Sequence, residues 1–168
     1  MGTNAVPDLT PRQGQRPTSS LVLPFRQLDQ WPPAVIHERL LRECAVLAGV
    51  RVRQSRMASP FTRALYLPDE IAAGPPDAFI DLHEFCHLHP LPEGTIHLVL
   101  PPPVLERVVA LDWAERHPIT AAGILPGLVM VYAPRNAAEL DVVLGLVRVS
   151  VHYARGAVVW QGNAPQVA

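Results

Sequence analysis

Three imidazoles fall within one short stretch of the chain. His87 and His89 lie in Glu84-Phe85-Cys86-His87-Leu88-His89-Pro90, and His97 lies in Gly94-Thr95-Ile96-His97-Leu98-Val99-Leu100. Imidazole titrates near neutrality and is the commonest metal ligand, so such a group supports proton transfer or coordination. Cys86 and Leu88 alternate with His87 and His89, and Ile96, Leu98 and Leu100 alternate with Thr95, His97 and Val99, which predicts two strands. Pro90-Leu91-Pro92-Glu93-Gly94 between them predicts a hairpin loop. In a register symmetric about that loop, His87 stands opposite His97 and His89 faces Thr95 on the same side. Directly opposed residues have Cβ atoms about 4.5 to 5.5 Å apart, so the three rings form a cluster.

From the residues alone the cluster has three readings. Two imidazoles at i and i+2 on one strand plus one from its neighbour suit facial coordination of a divalent metal by His87, His89 and His97. The same rings suit a metal-free base, each orienting the next. They are equally consistent with polar residues on a half-exposed sheet face. Glu84 falls on the opposite face from His87 in a regular strand, so pairing the two requires a bulge or twist. Arg135 stands where a strand is expected to end and a helix to begin, a place from which it clamps an oxyanion or pairs with Glu139. Trp113 and Tyr132 suit the walls of an aromatic-ligand pocket, or simply the core.

The elements that must position these groups follow from periodicity. Residues 1–33 carry six prolines among Gln, Thr, Arg and Ser and predict a flexible proline-rich arm. Ile36, Leu40, Cys44 and Leu47 predict an amphipathic helix over about 34–48, with His37 on its solvated side and Gly49 as its stop. Val50-Arg51-Val52-Arg53 and Arg63-Ala64-Leu65-Tyr66-Leu67 predict two strands. Arg51, Arg53 and Arg56 make either a solvated edge or an anion-binding strip. A helix is expected over 103–111, a buried strand over 128–132, and a final helix opened by Asn136 with Glu139 three residues on. Leu140, Val143, Leu144, Val147 and Val151 face inward on that helix, and residues 157–168 form a C-terminal tail. The whole predicts one α+β domain over 34–156, with a mainly antiparallel sheet of about five strands and helices packed on one face.

Composition narrows the function. The chain has 168 residues, a net charge of -1 and a pI near 6.6, which gives no basic field for nucleic acid. No apolar run reaches the roughly 18 residues of a membrane helix, and the start lacks a signal-peptide pattern, so a cytoplasmic location is expected. Cys44 and Cys86 form no CxxC and read as core thiols.

Taken together, Glu84, His87, His89, Gly94-Thr95-Ile96-His97-Leu98-Val99-Leu100, Trp113, Arg116-His117-Pro118 and Tyr132-Ala133-Pro134-Arg135-Asn136 resemble the luciferase domain of bioluminescent fungi and its bacterial relatives. The resemblance implies oxygenase chemistry, because the fungal enzyme oxidises 3-hydroxyhispidin with O₂ through a peroxide that loses CO₂ and emits light. It adds His117 to His87, His89, His97 and Arg135 as catalytic candidates, with Glu84, Trp113 and Tyr132 against the substrate. On this reading His87 or His97 takes a proton, while Arg135 and His117 stabilise the oxyanion. The partner is a small enolisable or phenolic molecule, and the cofactor is none beyond O₂, with a divalent metal as the alternative. Asp112 and Ala114 replace the glycines that flank the tryptophan in the fungal pattern, and the proline-rich arm stands where those enzymes carry a membrane segment, so no light emission is expected. A non-catalytic ligand- or macromolecule-binding domain is the other reading. The element order is also similar to the MmcQ/YjbR-like fold.

Overall fold

The structure, a computed structural model, describes residues 9–161 and 164–167. Residues 1–8 of the predicted arm, and 162, 163 and 168 of the predicted tail, lie outside the described residues.

Six short strands form one open sheet: β1 (Arg51–Gln54), β2 (Arg63–Tyr66), β3 (Glu84–Leu88), β4 (Ile96–Val99), β5 (Ala114–Arg116) and β6 (Leu128–Val131). Their order is β1-β2-β3-β4-β6-β5, and every pairing is antiparallel. The predicted α+β class with an antiparallel sheet is what forms. The added strand is β5, three residues long, too short to show an alternation of its own. Val158–Gln161 and Ala164–Val167 pair as a separate two-stranded sheet, β7 and β8, where the sequence predicts a tail.

Leu65, Cys86, Leu98 and Val129 occupy matching positions on β2, β3, β4 and β6. All four belong to the main core, together with Leu40 and Cys44 of α1 (Ala34–Ala45), Val104 and Val108 of α2 (Pro102–Ala110), and Leu140, Val143 and Val147 of α4 (Ala137–Ala154). Each such side chain contributes about 1.5–3 kcal/mol by leaving water. Asn136 caps α4 as predicted, its side chain accepting from the Glu139 amide at 3.0 Å. Both cysteines are free and buried, and burial pushes the Cys44 thiol up to about 12.

The opposite face carries Ala64, His87, His97, Met130 and Glu115 in one cross-strand row. Among the described residues, the N-terminal segment covers it. Residues 10–33, within the predicted flexible arm, run along this face with Arg12, Phe25 and Gln27 buried, while Leu9 joins the main core. Phe25 packs with Met130 and Tyr132 in a second apolar cluster. Residues 18–28 fold back on themselves through Ser20 N to Arg26 O and Leu28 N to Thr18 O. Proline and polar residues disguise this packing in the sequence, because its anchors are long-range hydrogen bonds rather than a periodic apolar stripe.

His37, placed by periodicity on the solvated side of α1, is 4% exposed. A Cβ built on Gly94 would come within 2.6 Å of Pro32 and 3.1 Å of the His37 ring, and Gly94 has φ +59°. The loop joining β3 to β4 therefore needs glycine there for its conformation and for close approach. Gly94→Ala is expected to cost about 1–3 kcal/mol, and Leu98→Ala, at a fully buried core position, about 2–5 kcal/mol. Urea unfolding followed by circular dichroism checks both; wild-type midpoints would contradict the packing described.

Candidate active site

Cross-strand register brings the histidines together. His87 pairs directly with His97, and the His89 amide donates to the Thr95 carbonyl at 2.9 Å, as the symmetric register predicts. Ring centroids are separated by 4.9 Å for His87 and His97, 5.3 Å for His87 and His89, and 4.7 Å for His89 and His97. One ring nitrogen from each lies within 4.8 Å of the others. His117, the N-cap of the short helix α3 (Pro118–Ala121), joins the group with its ring 5.2 Å from that of His97. Phe25 closes the cluster from the arm, edge-on to His117 at 5.4 Å.

Glu84 reaches His87 through a bulge. Leu65 pairs with Cys86 but Tyr66 pairs with Glu84, so Phe85 is an extra residue on β3 and the alternation of faces slips by one. Glu84 Oε1 is consequently 2.6 Å from His87 Nδ1. The carboxyl group is fully buried and also accepts from the Tyr66 hydroxyl at 2.7 Å and the Ser55 hydroxyl at 3.1 Å. Ser55 in turn accepts from the Met57 amide. Neither Ser55 nor Tyr66 carried a sequence signal, because the chain of bonds exists only once the bulge forms.

These contacts assign the ring nitrogens. A proton on His87 Nδ1 faces Glu84, which leaves its buried Nε2 unpartnered. His97 bonds the Phe25 main chain, and its Nε2 is likewise buried and unpartnered. His89 Nδ1 lies 3.4 Å from Glu93 Oε1, and neither of its nitrogens has a hydrogen-bond partner. His117 has the opposite arrangement: its Nδ1 accepts from the Ile119 amide at 3.2 Å, so the proton of the neutral ring sits on Nε2. Burial lowers the pKa of His87 against the opposing pull of Glu84. Burial, and then the neighbouring imidazoles, hold His97 well below the usual range and bring His117 down to about 4. At neutral pH His87, His97 and His117 are neutral rings, the first two with bare buried lone pairs on Nε2 and the third with an N–H donor.

Trp113, Tyr132 and Arg135 serve the arm. Trp113 Nε1 donates to the Thr10 carbonyl at 2.7 Å. The Tyr132 hydroxyl donates to Glu115 at 2.6 Å and accepts from Arg16 at 2.7 Å. Glu115 also accepts from Ser19 at 2.7 Å. Arg135 bonds Glu139, the Gln30 side chain at 3.1 Å and the Gln13 carbonyl at 2.6 Å. Gln27 accepts from the Ala133 amide at 3.0 Å. Three residues predicted at the substrate or oxyanion thus hold the segment that carries Phe25 over the histidines.

Cavities flank the strands on both faces of the sheet. One of about 200 Å³ is lined by His89, Pro90, Phe61, Arg63 and His37 and meets the cluster at its edge. The other, of about 370 Å³, is lined by Arg51, Arg53, Arg56, Tyr66 and His83. Arg56 pairs with Asp81 and His83 with Asp69 around it. Among the described residues no helix is long and apolar enough to cross a membrane.

Comparison with known proteins finds similar sequences. Residues 82–150, which hold the bulge, the histidines and the start of α4, match the luciferase domain. Luciferases of Armillaria ostoyae and Armillaria gallica are each 30% identical over 88% of this chain and 62% of their own length. The Neonothopanus nambi luciferase is 35% identical over 42% of this chain and 27% of its own length. This chain thus spans about three-fifths of the Armillaria relatives. No solved structure gives a significant match. The similarity to the Armillaria proteins extends well beyond the luciferase domain, since 88% of the chain is aligned with them.

Two outcomes follow from this geometry. The unfolded chain takes up protons near pH 6.5, whereas the folded chain resists them at His87, His97 and His117. Below pH 6.5 the unfolded state therefore binds more protons, and stability falls with pH. Unfolding midpoints measured in chelating buffer are expected to be level above pH 7 and to drop from about 6.5 toward 4; a level profile from pH 7 to 5 would show the rings are not held neutral. Tyr132→Phe removes the hydroxyl between Arg16 and Glu115 and is expected to speed amide exchange at Ser20 and Leu28 at least tenfold, with α4 unaffected. Hydrogen-exchange mass spectrometry reads both segments in one experiment.

Proposed function

We propose that the protein is an oxygenase that uses O₂ on a small enolisable or phenolic molecule at the histidine face, without emitting light. The observation that carries this reading is the set of buried, unpartnered imidazole lone pairs on His87, His89 and His97. A proton and a divalent cation compete for such lone pairs, and either way an enol in the site becomes an enolate. An electron-rich enolate reacts with O₂, which a neutral enol does so much more slowly. His117 presents an N–H beside the cluster and stabilises negative charge as it develops on oxygen, a role that strengthens in a site closed to water. Phe25 supplies an apolar wall. Trp113, Tyr132 and Arg135 contribute by holding the arm that carries it, and Glu84 by fixing the His87 tautomer. The similarity to proteins named luciferase supports the same class of chemistry.

Oxygen consumption with a panel of hydroxypyrones and catechols tests the proposal, using protein as isolated and protein supplied with divalent metals. The expected result is substrate-dependent uptake that falls about 10²- to 10⁴-fold in the His87→Ala/His97→Ala double variant, the usual range for loss of acid–base groups. Uptake unchanged in that variant would remove the reaction from this site. A second reading, ligand binding without turnover, draws on the Arg51/Arg53 cavity of about 370 Å³. Calorimetric binding of the same panel, abolished by Arg51→Ala/Arg53→Ala and accompanied by no oxygen uptake, would favour it.

A further inference from the structure

We propose that His87, His89 and His97 bind one divalent first-row transition-metal ion, with Glu84 and Glu93 as its outer carboxylates. The inference deepens the oxygenase reading of this face and rests on it for the use to which the metal is put, while the binding itself stands on geometry.

Each of the three rings has an acceptor or acidic group on one side and a bare nitrogen available on the other. Glu84 is 2.6 Å from His87 Nδ1, the Phe25 main chain bonds His97, and Glu93 is 3.4 Å from His89 Nδ1. Metal-bound histidines almost always donate their second N–H to a carboxylate or carbonyl, which fixes the tautomer and makes the ligating nitrogen more basic. Here that outer set exists around nitrogens that have nothing to bind. His87 Nε2, both nitrogens of His89 and His97 Nε2 are all buried and unpartnered. A buried polar atom left unsatisfied is costly, and one nitrogen from each of the three rings is placed to share a common occupant.

Charge argues for a cation. Glu84 is fully buried, and its partners are hydroxyls and an imidazole held neutral by burial, with no Lys or Arg among them. Glu93 Oε2 is also buried and unpartnered. A divalent ion on the three imidazoles would neutralise both carboxylates. One nitrogen from each ring lies within 4.8 Å of the others, close to the roughly 3.3 Å that metal–nitrogen bonds of about 2.0–2.1 Å require in tetrahedral geometry. Three neutral nitrogen donors suit zinc, iron, copper or nickel and disfavour magnesium and calcium, which take oxygen ligands. Three protein ligands leave a position open for water or a substrate oxygen. The Thr95 hydroxyl, itself buried and unpartnered, and the N–H of His117 are available to such a group. The 200 Å³ cavity lined in part by His89 lies beside the cluster.

The test is titration of chelator-stripped full-length protein with Co²⁺, followed by calorimetry and by visible absorption. The expected result is one ion per chain at micromolar affinity or tighter, with ligand-field bands in the visible and no competition from Mg²⁺. His89→Ala removes a ligand while leaving no nitrogen stranded, and is expected to weaken binding at least about 100-fold. Glu84→Gln is expected to weaken it about 10- to 100-fold, the usual cost of losing an outer partner. His152→Ala, on the partly exposed side of α4, is expected to bind as wild type. Absence of saturable binding by the stripped wild-type chain overturns the proposal, whatever the variants do. So does binding undiminished in His89→Ala, which places the ion elsewhere. Oxygen uptake at full rate in stripped protein overturns the use of the metal and leaves the oxygenase reading standing. Stoichiometric cobalt with no uptake on any substrate supports the metal site and counts against the oxygenase reading.

Discussion

The 2.6 Å contact between buried Glu84 and His87 is the interaction on which the chemistry of this face depends. A carboxyl group out of contact with water needs donors on its oxygens, and here Ser55, Tyr66 and His87 provide them. In return Glu84 dictates where the His87 proton sits and therefore which nitrogen is left bare. The contact exists because one extra residue on β3 moves Glu84 to the face of His87. Without the bulge the carboxyl would point into the helix-covered core, and His87 would be free to take either tautomer.

The two faces of the sheet are covered by different physics. Helices α1, α2 and α4 bury one face through ordinary apolar packing of alternate strand residues. The other bears histidines, an acid and a methionine, a surface that no amphipathic helix would match. It is closed by an extended segment whose side chains and main chain can hydrogen-bond to it point by point. Arg16, Ser19, Gln27 and the carbonyls of Thr10 and Gln13 each meet a specific partner on the domain. Phe25 adds the one large apolar contact over the rings. The stretch that matches the luciferase domain, residues 82–150, is thus completed by a segment outside it.

Much of the domain was legible in advance because its signals are local. Alternation around the Pro90–Gly94 loop placed His87 opposite His97, and the Asn136 cap and its apolar period marked α4. The resemblance carried by His117 and its neighbours was also readable, and it led to the fourth ring of the cluster. The same resemblance placed Trp113, Tyr132 and Arg135 near a ligand, whereas their hydrogen bonds go to the arm. His37 was misjudged because a helical period assigns a side but does not show that the 90–94 loop and Pro32 pack over it.

By itself the sequence determined the antiparallel hairpin, its register, the fold class and the resemblance to the luciferase domain, since each rests on side-chain periodicity or on residue identities at short spacing. Tertiary structure alone decided the bulge, the tautomers and the cover over the site. A bulge is a single unpaired residue with no period to read, and the contacts that define the protonated nitrogens join positions as far apart as Phe25 and His97. Those bonds form because burial removes water as a competing partner, and burial is a property of the assembled chain rather than of any segment in it.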